Sequence, residues 1–281
     1  MSKIAVITDS TAYIPQELVD QYQITVAPQV LIWGEETFRD GVDISPIEFY
    51  TRLSKADIMP TTSQVAVVDF KEIYEKLHGE GKEIIAILIS DLLSKTVNSA
   101  ELAKQMVPEA KIMVVNSETT AMELGFLVLT AARAAADGAS LEECVEAVKA
   151  AKQRSGVIFT VDTLEFLHRG GRIGGASRYL GTALKVKPLL ELMEGRIEPL
   201  EQVRTKKKAH ERLVQLIVER VAGKENIRIA SLHANAADDA RMLLDIIKEK
   251  VNPIEVVFSE VSPVIGAQAG PGTIGIAYMT D

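Results

Sequence analysis

The sequence predicts an α/β protein in two parts: an N-terminal parallel-sheet α/β domain over residues 1–155, and a second, mixed or antiparallel α/β domain over residues 156–281. At 281 residues the chain can bury a large core, and that length favours two domains. From Ile4 to Ala136 short apolar runs alternate with amphipathic stretches, the rhythm of right-handed βαβ units on a parallel sheet. Farther along, two apolar runs flank Glu194-Gly195, a two-residue hairpin turn, which brings antiparallel pairing into the second part. No linker rich in Pro, Gly or Ser lies near residue 155, so the junction should be tight.

The elements follow in order. Ile4–Thr8 reads as a buried strand, and Pro15 opens a helix running to Tyr22. Ile24–Ile32 is β-like, Arg39-Asp40-Gly41-Val42-Asp43 is turn chemistry, and Ser45-Pro46 starts a helix through Leu53. Thr61-Thr62-Ser63 reads as a loop before an amphipathic stretch from Val68 to Leu77. Ile84–Ile89 is the clearest strand, and Ser94 or a close neighbour caps a helix ending near Met106. Ile112–Val115 is a strand, with helices over Met122–Ala136 and Leu141–Gln153. In the second part, strands are expected at Val157–Val161, Val186–Met193, Arg196–Val203, Ile227–His233, Ile254–Phe258 and Ile274–Met279. Helices are expected at Ala209–Val221 and Ala236–Lys250.

Composition narrows the function. Hydrophobic residues make up 47% and charged residues 25%, ordinary for a globular protein, while 5% aromatics leave a core of aliphatic residues. A net charge of -8 argues against nucleic acid as partner, since backbone binding needs clustered Lys and Arg. The basic run Arg204-Thr205-Lys206-Lys207-Lys208 reads as a solvated helix start. Cys144 is the only cysteine, so no internal disulfide forms, and helical spacing turns it toward the core. With no signal-like N-terminal segment and no apolar run near the roughly 20 residues of a membrane span, a cytoplasmic protein without stable membrane insertion is expected.

Three hydroxyl-rich segments stand where strands end or loops bend: Thr8-Asp9-Ser10-Thr11, Thr61-Thr62-Ser63 and Ser90–Thr96. Ligands of open α/β sheets bind beyond the carboxyl ends of the strands, where clustered hydroxyls can hydrogen-bond one oxygen-bearing group. None of these segments holds a Cys or His. That suits holding a head group better than attacking it. Gly170-Gly171-Arg172-Ile173-Gly174-Gly175 can bend sharply and place Arg172 in a cleft as an anion partner. The same stretch also reads as a helix C-cap with a solvent-facing arginine. Gly270-Pro271-Gly272-Thr273-Ile274-Gly275 fits G-x-G-x-x-G in letters, yet a strand follows it, so the dinucleotide reading fails. Its glycines instead let backbone pass close to a ligand or to the other domain. No Walker A or H-E-x-x-H sequence occurs, and the four histidines are too scattered for a metal site. His233, following a buried strand, reads as a satisfied structural histidine.

With these residues laid out, the chain resembles the DegV family, which includes the fatty-acid-binding subunits of bacterial fatty acid kinase. The resemblance covers nearly the whole chain. It rests on Ile7-Thr8-Asp9-Ser10-Thr11, Arg39-Asp40-Gly41-Val42-Asp43-Ile44, Pro60-Thr61-Thr62-Ser63-Gln64, Leu93-Ser94, Val161-Asp162-Thr163-Leu164-Glu165, Gly171-Arg172-Ile173, Lys187-Pro188 and Pro263-Val264-Ile265-Gly266. It implies a non-catalytic carrier with one long-chain fatty acid in a tunnel between the domains, and no cofactor. It further implies that a separate ATP-dependent kinase subunit phosphorylates the acyl carboxylate, in the service of phospholipid metabolism. The carboxyl would be held by hydroxyls at Thr62 and Ser94, with Thr61 adjacent, and Arg172 would join the same network. The chain departs from the family in two places. Gln268 stands where members commonly carry histidine, and Leu93-Ser94-Lys95-Thr96 replaces Leu-Ser-Gly-Thr. A neutral amide can donate a hydrogen bond but cannot relay a proton.

Energetics separate the roles of the ligand's two ends. A tail of about 14 methylenes offers on the order of 11 kcal/mol of transfer energy, from which association costs subtract. One neutral hydrogen bond contributes about 0.5–1.5 kcal/mol net. The tail therefore sets affinity and the hydroxyls set orientation. The alternative is an enzyme acting on a small anionic metabolite, with Arg172 and Lys95 as an anion clamp and a short polar pocket in place of the tunnel.

Overall fold

The computed structural model describes residues 3–181 and 186–281. Its first strand, β1 (Ile4–Asp9), is buried throughout, and a single 3₁₀ turn (Ser10–Ala12) leads to α1 (Gln16–Tyr22). The stretch expected as one strand over Ile24–Ile32 is two: β2 (Thr25–Ala27) and β3 (Val30–Trp33). Pro28 lies between them and cannot donate a ladder hydrogen bond, so the chain leaves one sheet and enters another. β4 (Glu36–Arg39) and α2 (Pro46–Leu53) follow, the helix opened by a capping box between Ser45 and Glu48. The expected loop at Thr61–Ser63 is a short strand, β5, pairing with β3 through Leu31 and Thr62.

The rest of the first half runs α3 (Val67–Gly79), β6 (Glu83–Leu88), α4 (Thr96–Gln105), β7 (Ile112–Asn116), α5 (Ala121–Ala136) and α6 (Leu141–Lys152). The second half runs β8 (Ser155–Thr160), α7 (Glu165–Arg169), β9 (Lys187–Met193), β10 (Arg196–Val203), α8 (Lys206–Val221), β11 (Arg228–His233), α9 (Ala237–Val251), β12 (Glu255–Glu260), α10 (Pro263–Ala269) and β13 (Ile274–Met279). The Glu194-Gly195 hairpin forms as expected, with positive φ at both residues. The basic run Arg204–Lys208 opens α8, where the Thr205 hydroxyl accepts the Lys208 N–H. The short helices α7 and α10 are absent from the periodicity reading, because five to seven residues give too little repeat to detect.

Three sheets result. β2-β1-β6-β7 is wholly parallel, β10-β9-β8-β13-β11-β12 is mixed, and β4-β3-β5 is a small antiparallel sheet. The larger two build an α/β/α/β/α stack. Ala5 and Ile7 of β1 face α3 and α4, whereas Ile4 and Val6 face the central layer of α1, α5 and α6. On the mixed sheet Val157 faces that same layer and Ile158 faces α8 and α9. α5 is buried on nearly every side because it lies between the sheets, and its sequence is apolar apart from Glu123, Thr130 and Arg133. Cys144 packs in this layer with its thiol pushed up by burial. No helix among the described residues is long and apolar enough to cross a membrane.

Candidate functional site

The parallel order β2-β1-β6-β7 places β1 and β6 side by side with their onward connections leading in opposite directions. Such a switch point leaves a crevice at the carboxyl ends of the two strands. A cavity opens there, between the loops after β1 and β6, strand β5, helix α10 and the inner face of the mixed sheet. This slot has a volume of about 140 Å³. The mixed sheet contributes Val157, Phe159, Leu192, Ile197 and Leu232, an aliphatic and aromatic wall. No Cys, His, Asp or Glu lines the cavity among the described residues.

Thr62, Ser94, Arg172 and Gln268 all line this cavity. Arg172 arrives there through the end of α7. Gly171 takes φ of 73°, its N–H donates to the His168 carbonyl, and the Arg172 N–H donates to the Leu167 carbonyl. This pair of bonds is a Schellman cap, and glycine supplies the left-handed residue it needs. Both readings of the glycine-rich stretch thus meet: the helix is capped, and the arginine after the cap enters the cleft. Its Nε donates to the Leu93 carbonyl at 3.0 Å and its Nη1 to the Gly170 carbonyl at 2.6 Å. Arg172 has no ion pair among the described residues, which leaves its remaining N–H groups for an anion.

Gln268 projects from α10 and donates through Nε2 to the Thr62 hydroxyl at 3.0 Å. Its Oε1 is buried without a partner and rests against the Gly170 backbone, where a Cβ would collide with it. Ser94 does not cap α4. Lys95 occupies the cap position without a side-chain bond, and the Ser94 hydroxyl instead meets Gln29 Oε1 at 3.3 Å and Thr96 Oγ1 at 2.9 Å. Thr61 is exposed and lies on a neighbouring pocket with Arg169 and Phe166; Thr62, Arg172 and Gln268 form the wall shared between that pocket and the slot. Lys95 reaches the slot, but its ammonium is tied to the Asp91 carbonyl at 3.3 Å. His233 lies elsewhere. Its ring packs on Phe258 at 5.0 Å, and its buried Nδ1 has no partner.

The chain matches the DegV family, described as uncharacterised proteins, over residues 3–281. The chain belongs to the DegV family. The DegV domain-containing protein of Halalkalibacterium halodurans is 36% identical over 279 residues, covering 99% of each chain. Protein DegV of Bacillus subtilis is 35% identical over 276 residues, covering 98% of each. Among solved structures, a DegV family protein from Thermus thermophilus described for its fatty acid binding superposes with a TM-score of 0.94 at 34% identity, covering 100% of both chains. DegV of Bacillus subtilis, described as a fatty acid binding protein, superposes at 0.91 with 35% identity, again over 100% of both. The two-part α/β architecture is therefore the DegV fold.

Two of the DegV motifs serve the site from behind. Asp9 is fully buried and accepts from the Ile89 N–H at 2.8 Å, the Thr11 N–H at 3.0 Å and the Thr11 hydroxyl at 2.6 Å. The Ser10 hydroxyl donates to Asp40 at 2.7 Å. The first hydroxyl-rich segment thus orders loops. Asp40 also accepts from the Ser262 hydroxyl at 2.8 Å and the Val264 N–H at 3.2 Å, pinning the start of α10 to the first half of the chain. Burial holds the Asp9 carboxyl above its ordinary range and pushes Asp40 up to about 6. Of the Gly270–Gly275 motif, Gly275 lines the slot. Gly270, with φ of 80°, packs against Phe166 of its own half, where a Cβ would strike the ring.

Gln29, Tyr13 and Thr120 also line the slot and were not singled out in the sequence. For Gln29 a signal existed. Pro28 interrupts an apolar run, and a polar residue next to such a break stands at a sheet end.

Proposed function

We propose that this protein binds one long-chain fatty acid in the slot between domains 1–155 and 156–281, and is a carrier, not a catalyst. The observation that carries the reading is a narrow cavity with aliphatic walls, lined also by hydroxyl, amide and guanidinium donors from Thr62, Ser94, Gln268 and Arg172. The slot suits a hydrocarbon, and the donors suit a carboxylate. Fatty acid binding by the DegV relatives at 34–35% identity supports it. The same reading assigns the acyl carboxylate to be presented to a separate ATP-dependent kinase subunit, with Thr61 and Arg169 on the outward side of the head group. The absence of a phosphate-binding loop sequence in this chain is consistent with nucleotide being held by the partner.

The alternative anion clamp would need Arg172 and Lys95 to converge on a small polar pocket. The hydrophobic walls behind Arg172 favour the lipid instead. The test is denaturing extraction of purified protein followed by mass spectrometry. A stoichiometric free fatty acid is expected; recovery of phospholipid background alone would sink the proposal.

A further inference from the structure

We propose that Gln29 is a positioning residue for the lipid head group, acting through Ser94 with its own amide oriented by Asp9. This inference rests on the fatty acid reading. Gln29 is 2% exposed and tied at every polar group. Its backbone N–H donates to the Ser10 hydroxyl at 3.2 Å and its carbonyl accepts the Asp40 N–H at 2.8 Å. Its side-chain Nε2 donates to Asp9 Oδ1 at 3.2 Å, and its Oε1 accepts from the Ser94 hydroxyl at 3.3 Å.

The order of these contacts is not interchangeable. The two ends of an amide have nearly the same shape, so packing alone does not choose between them. Asp9 Oδ1 already accepts from the Thr11 N–H and hydroxyl, so it is an acceptor and Gln29 turns its NH₂ to it. The carbonyl end is thereby left for Ser94. Asp9 is itself held by three donors from the loops after β1 and β6, the two strands of the switch point. The orientation of Ser94 is thus inherited from the fold through one buried amide. Ser94 is held between Gln29 and Thr96, and removing Gln29 frees its χ1 to leave the head group.

The experiment measures dodecanoate and dodecanol, each displacing a fluorescent acyl probe, on wild type, Gln29→Leu, Ser94→Ala and the double variant. Gln29→Leu is expected to reduce the preference for acid over alcohol about 3- to 10-fold, the factor of one oriented hydrogen bond, with dodecanol affinity unchanged within about 2-fold. In the Ser94→Ala background the same change should cost less than about 2-fold, because the residue it acts through is gone. Equal losses in both backgrounds, or equal losses for acid and alcohol, would overturn the assignment. Should Gln29→Leu fail to fold, Gln29→Asn makes the same comparison, since it keeps an amide that is too short to span Asp9 and Ser94. A wild-type protein that binds no dodecanoate overturns the fatty acid reading and this inference together. Binding with an additive cycle overturns the inference alone.

Discussion

Gln268 donates to Thr62 within one wall of the slot at 3.0 Å, joining a helix near the end of the chain to a strand 206 residues earlier. Where DegV-like chains commonly carry an imidazole, this contact is made by an amide that does not titrate. Between pH 6 and 8 fatty acid affinity should therefore vary little on account of this position. Gln268→His should introduce a dependence, with dodecanoate binding strengthening as pH falls through about 6.5 and the ring gains a proton. Affinity measured at three pH values on both proteins checks this, and identical profiles would show that residue 268 does not meet the carboxylate.

Arg172 is the strongest anion partner in the slot, because its guanidinium is already aimed by two carbonyls. Arg172→Met keeps the aliphatic stem and removes the fork. Dodecanoate binding should weaken by about 1.5–3 kcal/mol, the range for hydrogen bonds to charged groups, while dodecanol binding holds. Arg172→Lys should recover only part of the loss, since an ammonium cannot keep both carbonyls and reach a carboxylate. Equal weakening for acid and alcohol would mark the residue as structural.

The sequence made the long elements legible and left the short ones dark. β6 and α5 announce themselves, since Ile84–Ile89 is continuously apolar and Met122–Ala136 is a long, mostly apolar run. The β3–β4–β5 sheet has three- and four-residue strands, too short for alternation to register, and it carries Thr62. The hydroxyl segments holding Thr62 and Ser94, and Arg172 itself, stand out from the residues, and Gln268 only from the resemblance, whereas the way the four meet depends on contacts no local pattern encodes. Asp40 shows why. In sequence it is turn chemistry, and only the packing of Ser262 and Val264 on it makes it the clasp at the start of α10.

Tail selectivity should reside on the mixed-sheet wall. Val157 is 4% exposed, points into the central layer and lines the slot. Val157→Phe fills part of that space, and each methylene kept out forfeits about 0.8 kcal/mol. The acyl chains recovered by denaturing extraction should shorten by about two to four carbons, with head-group preference unchanged. An unaltered chain-length distribution would place the tail along another wall.

Stability should fall as pH rises through the range in which two buried carboxyls ionise. Asp40 is pushed up from 3.8 to about 6 and Glu123 from 4.5 to about 7, in each case by burial. Glu123 lies on α5 and accepts from the Thr119 and Ser155 hydroxyls, which soften the effect without cancelling it. A folded pKa above the unfolded one means the native state keeps its proton longer. The resulting stability is fully present below the unfolded pKa and is lost as pH rises through the folded value. For Glu123 that window runs from about 4.5 to 7. Glu123→Gln cannot ionise, so its stability relative to wild type should rise across the window by on the order of 3 kcal/mol. Urea unfolding at pH 4.5, 6 and 8 on both proteins measures the difference. A variant that tracks wild type at every pH would mean that folding does not raise the Glu123 pKa.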